Sequence, residues 1–174
     1  THKEFEGEFH RWGMTESLLV TEDAVISSPI GEQTAVVALD KEDGSLIWKT
    51  ESVGGVRSYV SPLMIEYQGQ EMILVTSDKD MIAVDPENGD IIWNFDIISD
   101  QSGEKGRRNN TNTPLYHDGA IFTTSGYDVN AEMLQLSEDV DIDETSIVDE
   151  SVILVLLFDL PISEQDPVFQ NVLR

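Results

Sequence analysis

The stretch from Asp139 to Glu150 has the residue types and spacing of a cation loop. Asp139, Asp141, Asp143 and Glu150 fall at positions 1, 3, 5 and 12 of an EF-hand-type loop, where carboxylate oxygens converge on calcium. Position 6 of such a loop needs glycine for its sharp turn, and this chain has Glu144 there. Ser146 sits where an apolar residue is common, and the flanks read as strand rather than helix. The first reading is therefore a solvated acidic loop, with calcium ligation as the alternative that a calorimetric titration distinguishes. His2, His10 and His117 are dispersed, which argues against a histidine-ligated metal, and His117 beside Asp118-Gly119 reads as a turn residue. The absence of cysteine removes disulfides, thiolate nucleophiles, cysteine-ligated zinc and iron–sulfur clusters together. There is no glycine-rich phosphate loop and no serine nucleophile elbow, so no residue is assigned a catalytic role.

The charge balance narrows the partners. The chain has 174 residues, with 34 Asp plus Glu against 10 Lys plus Arg, for a formal charge of −24. Nucleic acid and anionic membrane surfaces both demand clustered cations, and the only adjacent basic pair is Arg107-Arg108. The longest apolar run, Val152 to Phe158, is far short of the ~20 residues of a spanning helix, so no membrane span is expected. The N-terminal residues carry no basic and apolar signal-peptide pattern, which fits a mature form or a fragment.

The elements that would position any site emerge from an internal repeat. Val37 to Trp48 (VALDKEDGSLIW) recurs as Ile82 to Trp93 (IAVDPENGDIIW), an offset of 45 residues. Ala38, Asp40, Gly44, Ile47 and Trp48 fall on Ala83, Asp85, Gly89, Ile92 and Trp93. Each copy predicts a β-hairpin: a β-branched run, a polar turn, and a second run ending in Trp. The Asp accepts hydrogen bonds from turn N–H groups, the Gly permits positive φ, and the Trp packs against a neighbouring hairpin. Two more strands precede each hairpin: Ser17 to Val20 and Ala24 to Ser27, then Pro62 to Tyr67 and Glu71 to Thr76. A third copy opens at Thr113-Pro114-Leu115, with strands at Ala120 to Thr124 and Glu132 to Leu136, but loses the Ala, Asp, Gly and Trp signature. Four short antiparallel strands per unit describe a propeller blade.

The pattern Ala-x-Asp-x-x-x-Gly-x-x-x-Trp, at Ala38 to Trp48 and Ala83 to Trp93, resembles the tryptophan-docking motif of pyrroloquinoline-quinone (PQQ) type β-propeller repeats. The resemblance covers about residues 12 to 136 and implies an all-β fold of about three four-stranded antiparallel blades, near 14–51, 59–97 and 111–136 onward, as part of a larger propeller. Residues 137–174 form a divergent acidic segment, in which Val152 to Phe158 aligns as a displaced outer strand of the third blade. The superfamily includes quinoprotein alcohol dehydrogenases and cofactor-free relatives such as the outer-membrane assembly lipoprotein propeller. The resemblance thus implies two functions: a non-catalytic binding or assembly scaffold in the periplasm or outside the cell, or a segment of a PQQ-dependent alcohol dehydrogenase. PQQ and calcium are expected only under the second, and none of that family's catalytic residues carries over.

In a propeller the first strand of each blade lines the central channel, so residues at its start converge on one rim. These are Thr15, Glu16 and Ser17; Arg57, Ser58, Tyr59 and Ser61; and Arg107, Arg108, Asn109, Asn110, Asn112 and Thr113. Glu16, Arg57, Arg108, Asn110 and Asn112 are the candidate ligand contacts, because a local positive spot there could hold a carboxylate or quinone oxygens. Solvated loop residues are the competing reading. The expected partner is a protein or a small anionic ligand, and replacing Arg57 and Arg108 by Ala is expected to weaken anion binding with little loss of melting temperature.

Overall fold

The computed structural model describes residues 2–5, 7, 13–97, 110–124, 131–136 and 153–157. Apart from a short 3₁₀ turn at His2–Phe5, every regular element is a strand. The first sheet comprises β1 (Leu19–Val20), β2 (Ala24–Ser27), β3 (Thr34–Asp40) and β4 (Leu46–Glu51). β5 (Leu63–Tyr67), β6 (Gln70–Thr76), β7 (Asp80–Val84) and β8 (Ile91–Asp96) form the second. β9 (Leu115–His117), β10 (Ala120–Thr124), β11 (Ala131–Leu136) and β12 (Ile153–Leu157) form the third. Each is a four-stranded antiparallel meander in chain order.

Local chemistry explains the turns. Gln68-Gly69 and Asp118-Gly119 both have positive φ at their two central residues (53° and 82°; 48° and 81°), as a two-residue hairpin loop demands. In the β3–β4 turn the Asp40 carboxylate accepts from the N–H of Glu42 (2.7 Å) and Asp43 (3.1 Å). Asp85 accepts from Glu87 in the same way (2.7 Å) in the β7–β8 turn. β1 is shorter than its sequence suggests because the Ser17 N–H donates to the Ser61 hydroxyl (2.9 Å), which ties it to the second sheet.

Alternation across the strands builds two apolar layers. The cross-strand row Leu19, Ile26, Ala38 and Trp48 packs against Met64, Ile73 and Val84 of the second sheet. The opposite face of that second sheet, the row Leu63, Leu74, Ala83 and Trp93, packs against Tyr116, Ile121 and Leu134 of the third. The sheets therefore stack face to face as consecutive propeller blades, each strand's two faces serving two different neighbours.

The repeat's Trp secures the first of these interfaces. Trp48 donates its indole N–H to the Pro86 carbonyl (2.9 Å), and Thr50 donates its hydroxyl to the Gly89 carbonyl (2.8 Å). A Cβ built on Gly89 would lie 2.5 Å from Trp48 Cε3, so the ring rests directly on that glycine's backbone. Register shifts at Ala38/Leu39 and Ala83/Val84 fall at the same repeat position, where a bulge sets the Trp apart from the simple pleat.

Candidate functional site

The rim residues lie where the first strands of the blades begin, and the structure brings several of them together. Glu16 forms an ion pair with Arg57, and the two side chains are 1% and 5% exposed. The other Glu16 oxygen, Oε1, accepts from the Ser28 N–H at 2.8 Å. Arg57 is itself fixed by an isolated antiparallel bridge to Ser77. Burial holds the Arg57 pKa below its ordinary value, yet a guanidinium opposite a carboxylate stays charged. A buried pair of this kind resists removal of either partner, because the other is left as an uncompensated charge. The sequence-based expectation that Arg57 can be replaced with little thermal cost is thus corrected by its burial against Glu16.

The remaining rim contacts also run between blades. Thr15 donates its hydroxyl to the Tyr59 carbonyl (3.3 Å), the Tyr59 N–H donates to the Asn110 carbonyl (2.9 Å), and Asn110 Nδ2 donates to the Ser77 carbonyl (2.7 Å). Ser58 donates its hydroxyl to the Thr76 carbonyl. Asn112 stays within its own blade, donating from Nδ2 to Thr124 Oγ1 (2.7 Å), and is exposed. Glu16, Arg57 and Asn110 thus sit among the seams of adjoining blades, and Asn112 stands apart from them. Arg107, Arg108 and Asn109 lie outside the described residues, as do Asp139, Asp141, Asp143 and Glu150. Among the described residues, no three His, Asp or Glu side chains are placed to hold a metal ion.

One cluster escaped the sequence reading. Asp80 and Asp96 are direct cross-strand partners between β7 and β8. Burial, and then the Asp96 and Asp78 charges, push the Asp80 carboxyl up to about 6, against a smaller opposing effect of Lys79. The same hairpin is a junction: Asp80 N–H donates to Ser77 Oγ (2.8 Å), and Val56 N–H donates to Asp78 Oδ1 (2.6 Å). Only the register of β7 against β8 could have exposed the pair, since the two residues are 16 positions apart (96 − 80) in the chain.

The described rim does not fit pyrroloquinoline quinone, whose carboxylates and quinone oxygens require available cations. Its one described arginine is committed to Glu16, and the Asn110 amide to Ser77. Among the described residues no helix is long and apolar enough to cross a membrane.

Residues 6–149 match the family described as outer membrane protein assembly factor BamB. No curated protein matches the sequence. Among solved structures, BamB from Moraxella catarrhalis is similar over 71% of this chain and 34% of its own, at 20% identity and a TM-score of 0.51. Quinohemoprotein alcohol dehydrogenase from Comamonas testosteroni is similar over 78% of this chain and 20% of its own, at 20% identity and a TM-score of 0.54. The chain therefore spans about a third of the one and a fifth of the other. At this identity both likenesses speak for the fold, and both proteins share it with stacked sheets whose repeats are carried here by Ala38 to Trp48 and Ala83 to Trp93. By its family match and its architecture, this chain belongs to the BamB family of PQQ-like β-propeller repeat proteins.

Proposed function

We propose that this chain is a non-catalytic propeller scaffold that binds a protein partner during assembly, in the periplasm or another exported compartment. The observation that carries this reading is the buried Glu16–Arg57 pair, which ties the first blade to the second at the rim position where an enzyme of this fold would present charged groups to a ligand. The hydrogen bonds of Thr15, Tyr59 and Asn110 add to the same seam and favour rigid presentation of a surface over proton transfer. In this reading residues 1–136 supply the blades, and the acidic 137–174 segment is an appendage to the third. The family's printed role, outer membrane protein assembly, supports a protein partner and an exported location.

The test is incubation of the chain with PQQ, Ca²⁺ and a primary alcohol while following reduction of an electron-accepting dye. No reduction above the protein-free control is expected. Reduction that saturates with PQQ would overturn the scaffold reading and assign the chain to a quinoprotein alcohol dehydrogenase, with the acidic 139–150 stretch as the first place to look for calcium.

A further inference from the structure

The first blade presents to solvent the same surface that the second blade buries. In the second blade the row Met64, Ile73, Val84 and Ile91 runs across all four strands, with Met64, Ile73 and Val84 packed against the first blade. The corresponding row of the first blade is Val20, Val25, Leu39 and Leu46, paired strand to strand in the same order. Val20 is 63% exposed and Leu46 is 48% exposed, whereas Ile73 and Val84 are fully buried.

The turn beside this row repeats the contrast. The Gly89 N–H donates to the Asp85 carbonyl (3.0 Å) and the Gly44 N–H to the Asp40 carbonyl (2.9 Å), and the two glycines have φ of +83° and +75°. Trp48 lies on Gly89, but a Cβ on Gly44 would meet nothing within 4 Å. Lys41 stands where Pro86 offers its carbonyl to the Trp48 indole. The two sockets share one backbone, and only the second is filled.

We propose that the open face of the first blade, formed by Val20, Val25, Leu39, Leu46 and the Lys41–Gly44 turn, docks a further blade of the same repeat through a strand-terminal tryptophan. The incoming indole stacks on Gly44 and donates to the Lys41 carbonyl, and the blade's apolar row covers Val20 through Leu46. Continuity with the observed interface identifies this occupant, since the first two blades already show what such a face and socket accept. A second copy of the chain is a poorer fit. Its strand-terminal tryptophans, Trp48 and Trp93, are 8% and 1% exposed, and its remaining outer strand, β12, reads Ile-Leu-Val-Leu-Leu. A repeat array whose end unit lacks a polar outer face needs such a neighbour to remain soluble.

The experiment is an amide-resolved NMR titration of the full 174-residue chain with a capped peptide of residues 44–53, the segment that carries the one docked Trp whose socket is observed. A second peptide with Ala in place of that Trp is the control. The expected result is a saturating shift of the Lys41 to Gly44 amides and of Val25 and Leu39 with the Trp peptide only. Gly44→Ala and, separately, Leu46→Glu should each weaken it about tenfold or more; both sites are exposed, so both variants are expected to fold. No shift up to the solubility limit, or equal shifts with the two peptides, overturns the proposal. Shifts at the same amides that grow with protein concentration alone, with a dimer mass by light scattering, overturn it in favour of a second copy. Because the readout is docking and not catalysis, the proposal stands or falls separately from the scaffold function.

Discussion

Replacing Gly89 and Gly44 by Ala, one at a time, isolates what the docked tryptophan contributes. The two glycines occupy the same turn position with nearly the same φ, +83° and +75°, so Ala pays the same backbone cost at each, about 1–2 kcal/mol. They differ in what lies above them. At Gly44 the new methyl group enters open space, whereas at Gly89 it would sit 2.5 Å from Trp48 Cε3 and 2.9 Å from Cδ2. Neither the turn backbone nor a ring whose indole bonds Pro86 at 2.9 Å can yield that distance while the dock persists. The ring is displaced, and the loss approaches that of removing a buried aromatic side chain, about 3–5 kcal/mol. Thermal or urea denaturation is expected to show a fall of a few degrees for Gly44→Ala and ~10 °C for Gly89→Ala, at ~2–4 °C per kcal/mol for a chain of this size. Adding Trp48→Ala should bring the cost of Gly89→Ala down to that of Gly44→Ala, a coupling of about 2 kcal/mol. Equal losses for the two single variants, or additive losses in the double variant, would refute the docking argument.

The rim pair gives a second expectation: Arg57→Ala should lower stability by about 3–5 kcal/mol by stranding the Glu16 carboxylate, and Arg57→Met combined with Glu16→Gln should recover most of it in the same denaturation assay. Asp80 gives a pH-dependent one. Its folded pKa is raised, so ionisation opposes folding, and the penalty grows as pH rises from about 4 through about 6. Raising the carboxyl from 3.8 to about 6 sets an upper bound of about 3 kcal/mol, which solvent screening of this half-exposed group reduces to about 1 kcal/mol. Asp80→Asn should therefore stabilise the chain at pH 7.5 and progressively less as pH falls towards 4; a gain independent of pH would count against the Asp78–Asp80–Asp96 cluster as its cause.

The hairpins were legible because their determinants are close in sequence. Asp40 bonding Glu42, the glycine three residues after Lys41, and alternating apolar residues act within one turn or one strand, and backbone sterics convert them into structure directly. The 45-residue repeat then implied the blade, and the blade implied a Trp packed on a neighbouring hairpin, as Trp48 packs on Gly89. The sequence placed Glu16 and Arg57 at one rim. Tertiary structure made them a pair, because their meeting across 41 positions depends on how one sheet stacks on the next. The same holds for Asp80 and Asp96, whose encounter requires a strand register that a bulge one residue away from Ala83 can shift. It holds most of all for the two faces of each sheet. Alternation in the sequence marks both rows of the first blade as apolar, but only stacking decides that Ile26 and Trp48 are covered while Val20 and Leu46 meet water, since burial belongs to the neighbour as much as to the strand.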